Sequence, residues 1–329
     1  MKEPYAGSSI IEVRSRSVLL HVTTARTTSA TALGYMATAA VLFASMNFFA
    51  RIASTSTSWT TVGAVRALVG ALVAFGVARA RGASLAVRDQ KAMLWRSLLG
   101  TTSMLLTFYA LSSRTVSLGD TVTLLNLTPV FLAVLAPMVL GERTSGRVGI
   151  AITTALVGVV LVLHPSFSFG EQGTLPGPSA TATAMSAVAA AFSSSLAMMM
   201  LRRLGKSETA ESIAIHFSLF AAAALGLLSL FDLRMPTARD AGCMIAAGVC
   251  AGFAQIAMTR AYALERAARV SAMGYLAVVA SALLGAAVLH ERPTLAATLG
   301  MVLVVAGGIL VTFAREEEPE TPKRDKLGA

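Results

Sequence analysis

Three ionisable side chains lie inside long apolar stretches of the sequence, where burial makes a charge costly. Arg66 suits a counter-ion for an anionic substrate, a structural ion pair, or a side chain that extends to the polar end of its segment. Asp120 suits a proton-exchanging carboxylate, or a first-turn residue stabilised by the helix dipole. His216 is the approximate counterpart of Arg66 later in the chain. These three residues are candidates for a charge pair or for coupling, and the sequence leaves open whether Arg66 pairs with Asp120.

Uncharged side chains within the apolar stretches are better candidates for lining a substrate cavity. Pro129 removes a backbone hydrogen bond and frees the carbonyl of Leu125, which suits a cavity wall or a packing kink. Ser195 has the alternative of bonding to its own helix, and Tyr109 that of anchoring a helix end at an interface. The predicted cavity residues are Asn47, Tyr109, Asn126, Pro129, Ser195, Gln255 and Tyr275.

The sequence offers no catalytic or metal-binding motif. Gly205-Lys206-Ser207 resembles the end of a phosphate-binding loop, but residue 200 is Met where that motif requires Gly. The histidines, His21, His164, His216 and His290, are scattered through the chain and form no ligand pattern. We therefore expect no enzyme, no cofactor and no metal.

The composition is that of a membrane protein. Hydrophobic residues make up 55% of the chain and charged residues 13%, and the mean hydropathy is +0.69, whereas soluble domains carry roughly 25% charged residues. The net charge of +10 comes from basic residues between the apolar runs, which argues against a nucleic-acid partner. At about 20 residues per span, the chain holds roughly ten helices. The predicted spans are 32–51, 60–78, 97–113, 116–139, 147–164, 180–201, 212–231, 240–262, 269–289 and 294–313.

A stretch rich in proline and glycine, residues 165–179, separates two halves of five spans each. The predicted organisation is a cytoplasmic N-terminal segment at 1–31, a first repeat at 32–164, the linker, a second repeat at 180–313 and a disordered cytoplasmic tail at 314–329.

The odd number of spans in each half makes the two repeats inverted, because the second half must enter the membrane from the opposite side. With the N-terminus in the cytoplasm, 21 of the 27 Lys and Arg residues lie in the inside segments, Arg96 among them, and 5 lie outside. This asymmetry agrees with the positive-inside rule. The sequence therefore predicts an all-α membrane protein with ten transmembrane helices in two inverted five-helix repeats and both termini in the cytoplasm.

A short pattern recurs at about half the chain length. Tyr109-Ala110-Leu111 ends one apolar segment and Glu142-Arg143 closes the next, and Tyr262-Ala263-Leu264 and Glu291-Arg292 repeat the arrangement. In inverted halves the two glutamates lie on opposite sides of the membrane, so we expect them to brace helix turns.

These elements resemble the EamA-type branch of the drug/metabolite transporter superfamily. The resemblance rests on Arg96-Ser-Leu-Leu-Gly100, Phe108-Tyr109-Ala110-Leu111, Gly119-Asp120, Thr128-Pro129-Val130-Phe131 and Leu140-Gly141-Glu142-Arg143, and it covers roughly residues 32–313. In the second half Val278 stands in the place of Pro129, and His290 in the place of the glycine before the glutamate. The resemblance implies a ten-helix inverted-repeat exporter with a central cavity lined mainly by spans 1, 3, 4, 6, 8 and 9.

The expected function is secondary transport of a small organic metabolite, such as an amino acid or related compound, by alternating access, with export favoured by the resemblance. The alternatives are a flippase for a lipid-linked substrate and a non-transporting scaffold or sensor. The expected partners are a small-molecule substrate and the lipid bilayer of the cell inner (plasma) membrane, with the protein a monomer or a homodimer. The substrate, the direction of transport and proton coupling stay open.

Overall fold

The computed structural model describes residues 7–140, 178–232, 234–265, 267–290 and 294–313, with a few helical positions between 150 and 161. Every regular element in these residues is helical. In chain order the helices are α1 (Gly7–Ala53), α2 (Trp59–Arg81), α3 (Gln90–Leu111), α4 (Leu118–Leu125), α5 (Thr128–Leu140), α6 (Ala180–Leu204), α7 (Ala210–Ser229), α8 (Ala238–Leu264), α9 (Ala267–Ala272), a 3-10 turn (Met273–Tyr275), α10 (Leu276–Val288) and α11 (Leu295–Phe313).

The observed helices agree with most predicted spans to within a few residues. Five of them are long and apolar enough to cross a membrane: the Ala30–Ala53 part of α1, and α2, α6, α7 and α8. Shorter apolar stretches run over Leu118–Leu132, Met273–Val288 and Leu295–Gly307. The linker up to residue 177 and the tail at 314–329 lie outside the described residues, as do most of the predicted span 147–164, Glu142 and Glu291.

Two boundaries differ from the sequence prediction. Helix α1 begins at Gly7, so the segment predicted to precede the first span is largely helical. Helix α3 begins at Gln90, with Asp89 as its N-cap accepting a hydrogen bond from the Ala92 amide. Counting Arg96 as part of an inside loop was therefore wrong, because it lies one and a half turns into the helix and is 2% exposed.

Two of the predicted spans are interrupted in the middle. The span predicted at 116–139 consists of α4 and α5, with Asn126 and Leu127 between them, next to the predicted kink at Pro129. The span predicted at 269–289 consists of α9, the 3-10 turn and α10, although Val278 replaces the proline there. Asn126 precedes Glu142 by 142 − 126 = 16 residues, and Tyr275 precedes Glu291 by 291 − 275 = 16 residues, so the two interruptions occupy equivalent positions in the two halves.

The described helices pack mainly against helices of the opposite half. Helix α1 packs on α8, α2 on α7 and α8, α3 on α6, and α4 on α10. Contacts between helices of the same half are fewer. The largest cluster of buried apolar residues accordingly joins both halves, with Phe108 and Leu118 beside Phe217 and Val278.

Glycines allow the close contact between α2 and α8. A Cβ atom added at Gly248 would lie 2.4 Å from the Val69 Cβ, and one added at Gly252 would lie 2.7 Å from the Val73 Cβ. The Gly-x-x-x-Gly spacing therefore brings the two helix backbones together.

His290, just beyond the end of α10, adopts a backbone conformation that favours glycine. Its φ angle is 55°, and it stands where the first repeat has Gly141. A side chain in this left-handed region costs about 1–2 kcal/mol, part of which is offset by the greater freedom of glycine in the unfolded chain. We expect His290→Gly to raise the free energy of unfolding by about 0.5–1 kcal/mol, measured by thermal unfolding in detergent. His290→Ala is the matched control and gives no such gain, because it keeps the Cβ atom.

Candidate functional site

A cavity of about 210 Å³ lies between the two halves. This volume holds roughly seven water molecules at liquid density. Its wall consists of residues from α1, α3, α6, α8 and the two interrupted spans, with one residue each from α2 and α7. The principal contributors are therefore spans 1, 3, 4, 6, 8 and 9, the set that the family resemblance implies.

The two interrupted spans meet at this cavity. A Cβ atom added at Gly274, in the 3-10 turn, would lie 3.4 Å from the Asn126 Oδ1. The Asn126 Nδ2 donates to the Val122 carbonyl at 2.8 Å, and the Thr128 Oγ1 donates to the Leu125 carbonyl at 3.2 Å. Side chains thus satisfy the backbone oxygens at the break, as buried irregular backbone requires.

Arg66 places a charged group in the cavity wall. It is 4% exposed, and its Nε and Nη1 atoms each lie 3.2 Å from a thioether sulfur, of Met46 and Met104 respectively. Thioether sulfur is a weak acceptor and carries no charge. The contacts therefore orient the guanidinium group without neutralising it.

Arg96 contributes a second guanidinium group from α3. Its carbon Cζ lies 4.4 Å from the centroid of the Phe217 ring, a cation–π contact. The group folds back over Gly100, where an added Cβ would lie 2.1 Å from the Arg96 Nη1. The Arg96 Nε and Nη1 atoms are buried and have no hydrogen-bond partner. Gly100 and Phe217 therefore hold the guanidinium group in place, while two of its nitrogen atoms lack an acceptor.

Two amide side chains add unsatisfied acceptors to the same wall. Asn47 is 6% exposed and Gln255 5%, and the Oδ1 of the first and the Oε1 of the second have no hydrogen-bond partner. Among the described residues that line the cavity there is no Asp, Glu or His. The site thus combines two cations with neutral acceptors, several hydroxyl groups and apolar side chains.

The structure brings together some of the candidate site residues and separates the others. Asn47, Arg66, Asn126, Pro129 and Gln255 line the cavity. The remaining five are not among the lining residues. The Tyr109 ring packs edge-on against Trp59, the Ser195 hydroxyl donates to the Phe192 carbonyl, and Tyr275 is buried beside the lining residue Gly274. The His216 Nδ1 lies 2.8 Å from the Ser212 carbonyl, and Asp120 lies in the first turn of α4.

No ion pair joins Arg66 to Asp120 in the part of the chain that the structure describes, because the Arg66 guanidinium contacts two methionine sulfurs instead.

Sequence reasoning missed Arg96, Ser103, Thr107 and Thr128 as cavity residues. The available signal for Arg96 was its spacing from Gly100. An arginine four residues before a glycine can lie along its own helix, because the glycine has no side chain to obstruct it.

Loops tie the two halves together at one end of the helices. The Glu208 Oε1 accepts hydrogen bonds from the Arg88 and Asp89 amides at 2.8 and 3.1 Å, and the Arg203 Nη2 lies 3.0 Å from the Asp89 Oδ2. The hydrogen bond from the Ala92 amide, together with Arg203, lowers the pKa of Asp89 below its ordinary value. The carboxylate is therefore ionised at neutral pH, and this contact weakens only as the pH falls through that lowered pKa.

At the opposite end, the Ser56 hydroxyl donates to the Asp240 Oδ2 at 2.8 Å, and the Arg51 Nη2 donates to the Val116 carbonyl at 2.8 Å. A second cavity of about 460 Å³ lies here, with Arg51, Arg114 and Arg239 in its wall. The Ser56–Asp240 hydrogen bond therefore joins the two halves at this end as well, while the Arg51–Val116 bond lies within the first half.

The sequence profile of the EamA-like transporter family matches residues 30–164 and again residues 181–313. This chain belongs to that family. The EamA-like match covers both halves of the protein, and with the apolar helices it makes the chain a multi-pass membrane protein of a transporter family.

Curated relatives of this EamA-like protein include named transporters. The pseudopaline exporter CntI of Pseudomonas aeruginosa is 26% identical over 245 residues, which cover 74% of this chain and 82% of that protein. A riboflavin transporter of Vibrio cholerae is 25% identical over 257 residues, covering 76% of this chain and 82% of that one. A solved crystal structure with 20% identity covers 86% of this chain and 96% of its own, at a TM-score of 0.67, which shows a shared fold.

Proposed function

We propose that this protein is a secondary transporter that exports a small organic metabolite, such as an amino acid or related compound, by alternating access. The observation that carries the proposal is the central cavity at the meeting point of two interrupted spans, one from each half. Discontinuous helices at mid-membrane are typical of transporter binding sites. The name of the exporter relative supports the direction, and the size of the cavity supports a small compound.

The proposed architecture is a pair of inverted five-helix repeats in the cell inner membrane, with both termini in the cytoplasm. The pairing of helices supports the relation between the two repeats. Exchanging the halves turns the contact between spans 1 and 8 into the contact between spans 6 and 3, and both contacts occur. The contacts between spans 2 and 7 and between spans 4 and 9 convert into themselves.

Transport is tested with purified protein in proteoliposomes loaded with a panel of labelled metabolites. Saturable flux of at least one compound above protein-free liposomes is the expected result. A scaffold or sensor gives no saturable flux for any compound, and a flippase moves only a lipid-linked substrate.

Asn126→Ala and Gln255→Ala are expected to reduce this flux about tenfold or more without lowering membrane abundance, since each removes a polar group from the cavity wall. Matched controls come from the same helices. Thr123 and Thr259 are buried, bond to their own helices through the Gly119 and Gln255 carbonyls, and do not line the cavity. Alanine at either control position leaves the flux unchanged. Normal flux in both test variants contradicts the assignment of the cavity.

A further inference from the structure

The central cavity contains two positive charges with no counter-charge among the described residues that line it. Arg66 and Arg96 are both at least nine-tenths buried, and both line this one cavity. A buried charge without a partner is costly, and two neighbouring cations raise that cost further. A compound that completes this site is therefore an anion, and two guanidinium groups match two negative charges.

The contacts of Arg96 show that the fold determines where its charge lies. The absence of a side chain at Gly100 leaves room for the guanidinium group, and the ring of Phe217 covers its face. Nε and Nη1 still lack an acceptor. Guanidinium groups form charge-assisted, often bidentate hydrogen bonds with carboxylates and phosphates, and a ligand with two separate carboxylates offers one negative charge to each arginine.

The amide oxygens of Asn47 and Gln255 require a different group. Both are buried acceptors without a donor, and both side chains line the same cavity. A ligand that satisfies them carries a hydrogen-bond donor, and in an amino acid or related compound that donor is an N–H group. The volume of about 210 Å³ restricts the ligand to a small molecule.

We propose that the compound moved through this cavity is a small dicarboxylate with an N–H donor, whose carboxylates pair with Arg66 and Arg96 and whose N–H group donates to Asn47 and Gln255. This inference rests on the proposed transport function and specifies its substrate class.

The test is competition against whichever compound gives the largest saturable flux in proteoliposomes. Two pairs of competitors test the features: L-glutamate against L-glutamine replaces one carboxylate by a neutral amide, and L-glutamate against glutarate removes the ammonium group, which carries the N–H donors and one positive charge. We expect L-glutamate to compete at least tenfold better than either analogue. Equal or better competition by L-glutamine, or no competition by L-glutamate, overturns the inference. O-Phosphoserine is a further arm, and its superiority over L-glutamate overturns the assignment of carboxylates.

Variants separate the charge from general folding. Arg96→Gln is expected to weaken the dicarboxylate about 30-fold or more and to remove its advantage over L-glutamine. Gly100→Ala keeps both charges but displaces the guanidinium group, and we expect it to weaken the dicarboxylate in the same selective way. Gly76→Ala, on α2 with open space around the added Cβ, and Arg234→Gln, at an exposed ion pair, are controls that leave the preference unchanged.

Membrane abundance and the elution profile in detergent identify variants that fail to fold, and the wild-type competition series decides the inference without them. Flux of a neutral or cationic compound that no dicarboxylate inhibits overturns this inference and leaves transport standing. Absence of flux for every compound contradicts both.

Discussion

Glu211→Leu is expected to lower the free energy of unfolding by about 3 kcal/mol, the lower end of the range for breaking a buried ion pair. Glu211 is 4% exposed and bonds to Arg260, whose side chain is 20% exposed. Arg81 lies 4.0 Å away, and its side chain is 57% exposed, so water solvates it already. Removing the carboxylate therefore leaves the partly buried Arg260 beside a neutral side chain. Thermal unfolding in detergent and membrane abundance measure the loss.

The double variant Glu211→Leu with Arg260→Leu is expected to recover most of this stability, because no unpaired charge remains. The exposed pair of Asp232 and Arg234 provides the control, with side chains that are 50% and 65% exposed. Asp232→Asn changes the stability by about 0.5 kcal/mol or less. Equal stability of Glu211→Leu and the wild type contradicts the role assigned to the pair.

Gly248→Ala is expected to destabilise the protein by about 2 kcal/mol. The added Cβ would lie 2.4 Å from the Val69 Cβ and 3.1 Å from the Arg66 carbonyl oxygen. Neither atom belongs to the flexible end of a side chain, so α2 and α8 must separate. Because Arg66 lies on α2, we also expect weaker substrate binding. Thermal unfolding in detergent and competition binding measure the two effects.

Gly242 supplies a control on the same helix. An added Cβ at Gly242 contacts nothing within 4 Å, so Gly242→Ala keeps or slightly raises the stability through the higher helix propensity of alanine. Equal stability of the two variants contradicts the idea that close contact at Gly248 holds α2 and α8 together.

The sequence predicted the helices well because long apolar runs leave few alternatives in a bilayer. It predicted the first interruption through Pro129, since proline removes a backbone donor. The second interruption carries no proline. Its local signal is Gly274, whose low helix propensity is weak evidence by itself, and the structure adds the contact with Asn126 from the other half. Pairing between distant segments of this kind is absent from a single sequence.

The candidate site divides in the same way. Polar residues in the middle of a span, such as Asn47 and Gln255, were recognisable because burial makes polar groups costly. Arg96 was assigned to a loop because it lies near the start of its span, where arginine is ordinary. Only the position of Phe217, 121 residues away (217 − 96), and the space at Gly100 show that its charge faces inward.

The packing of helices across the halves has a consequence for biosynthesis. The described helices of the first half find their main partners in α6, α7, α8 and α10, which the ribosome has yet to make when the first half enters the membrane. The early helices must wait in lipid with Arg66 of α2 uncovered. Assembly is therefore complete only after the second half is translated, and two separately expressed halves would have to associate within the bilayer to give a folded protein.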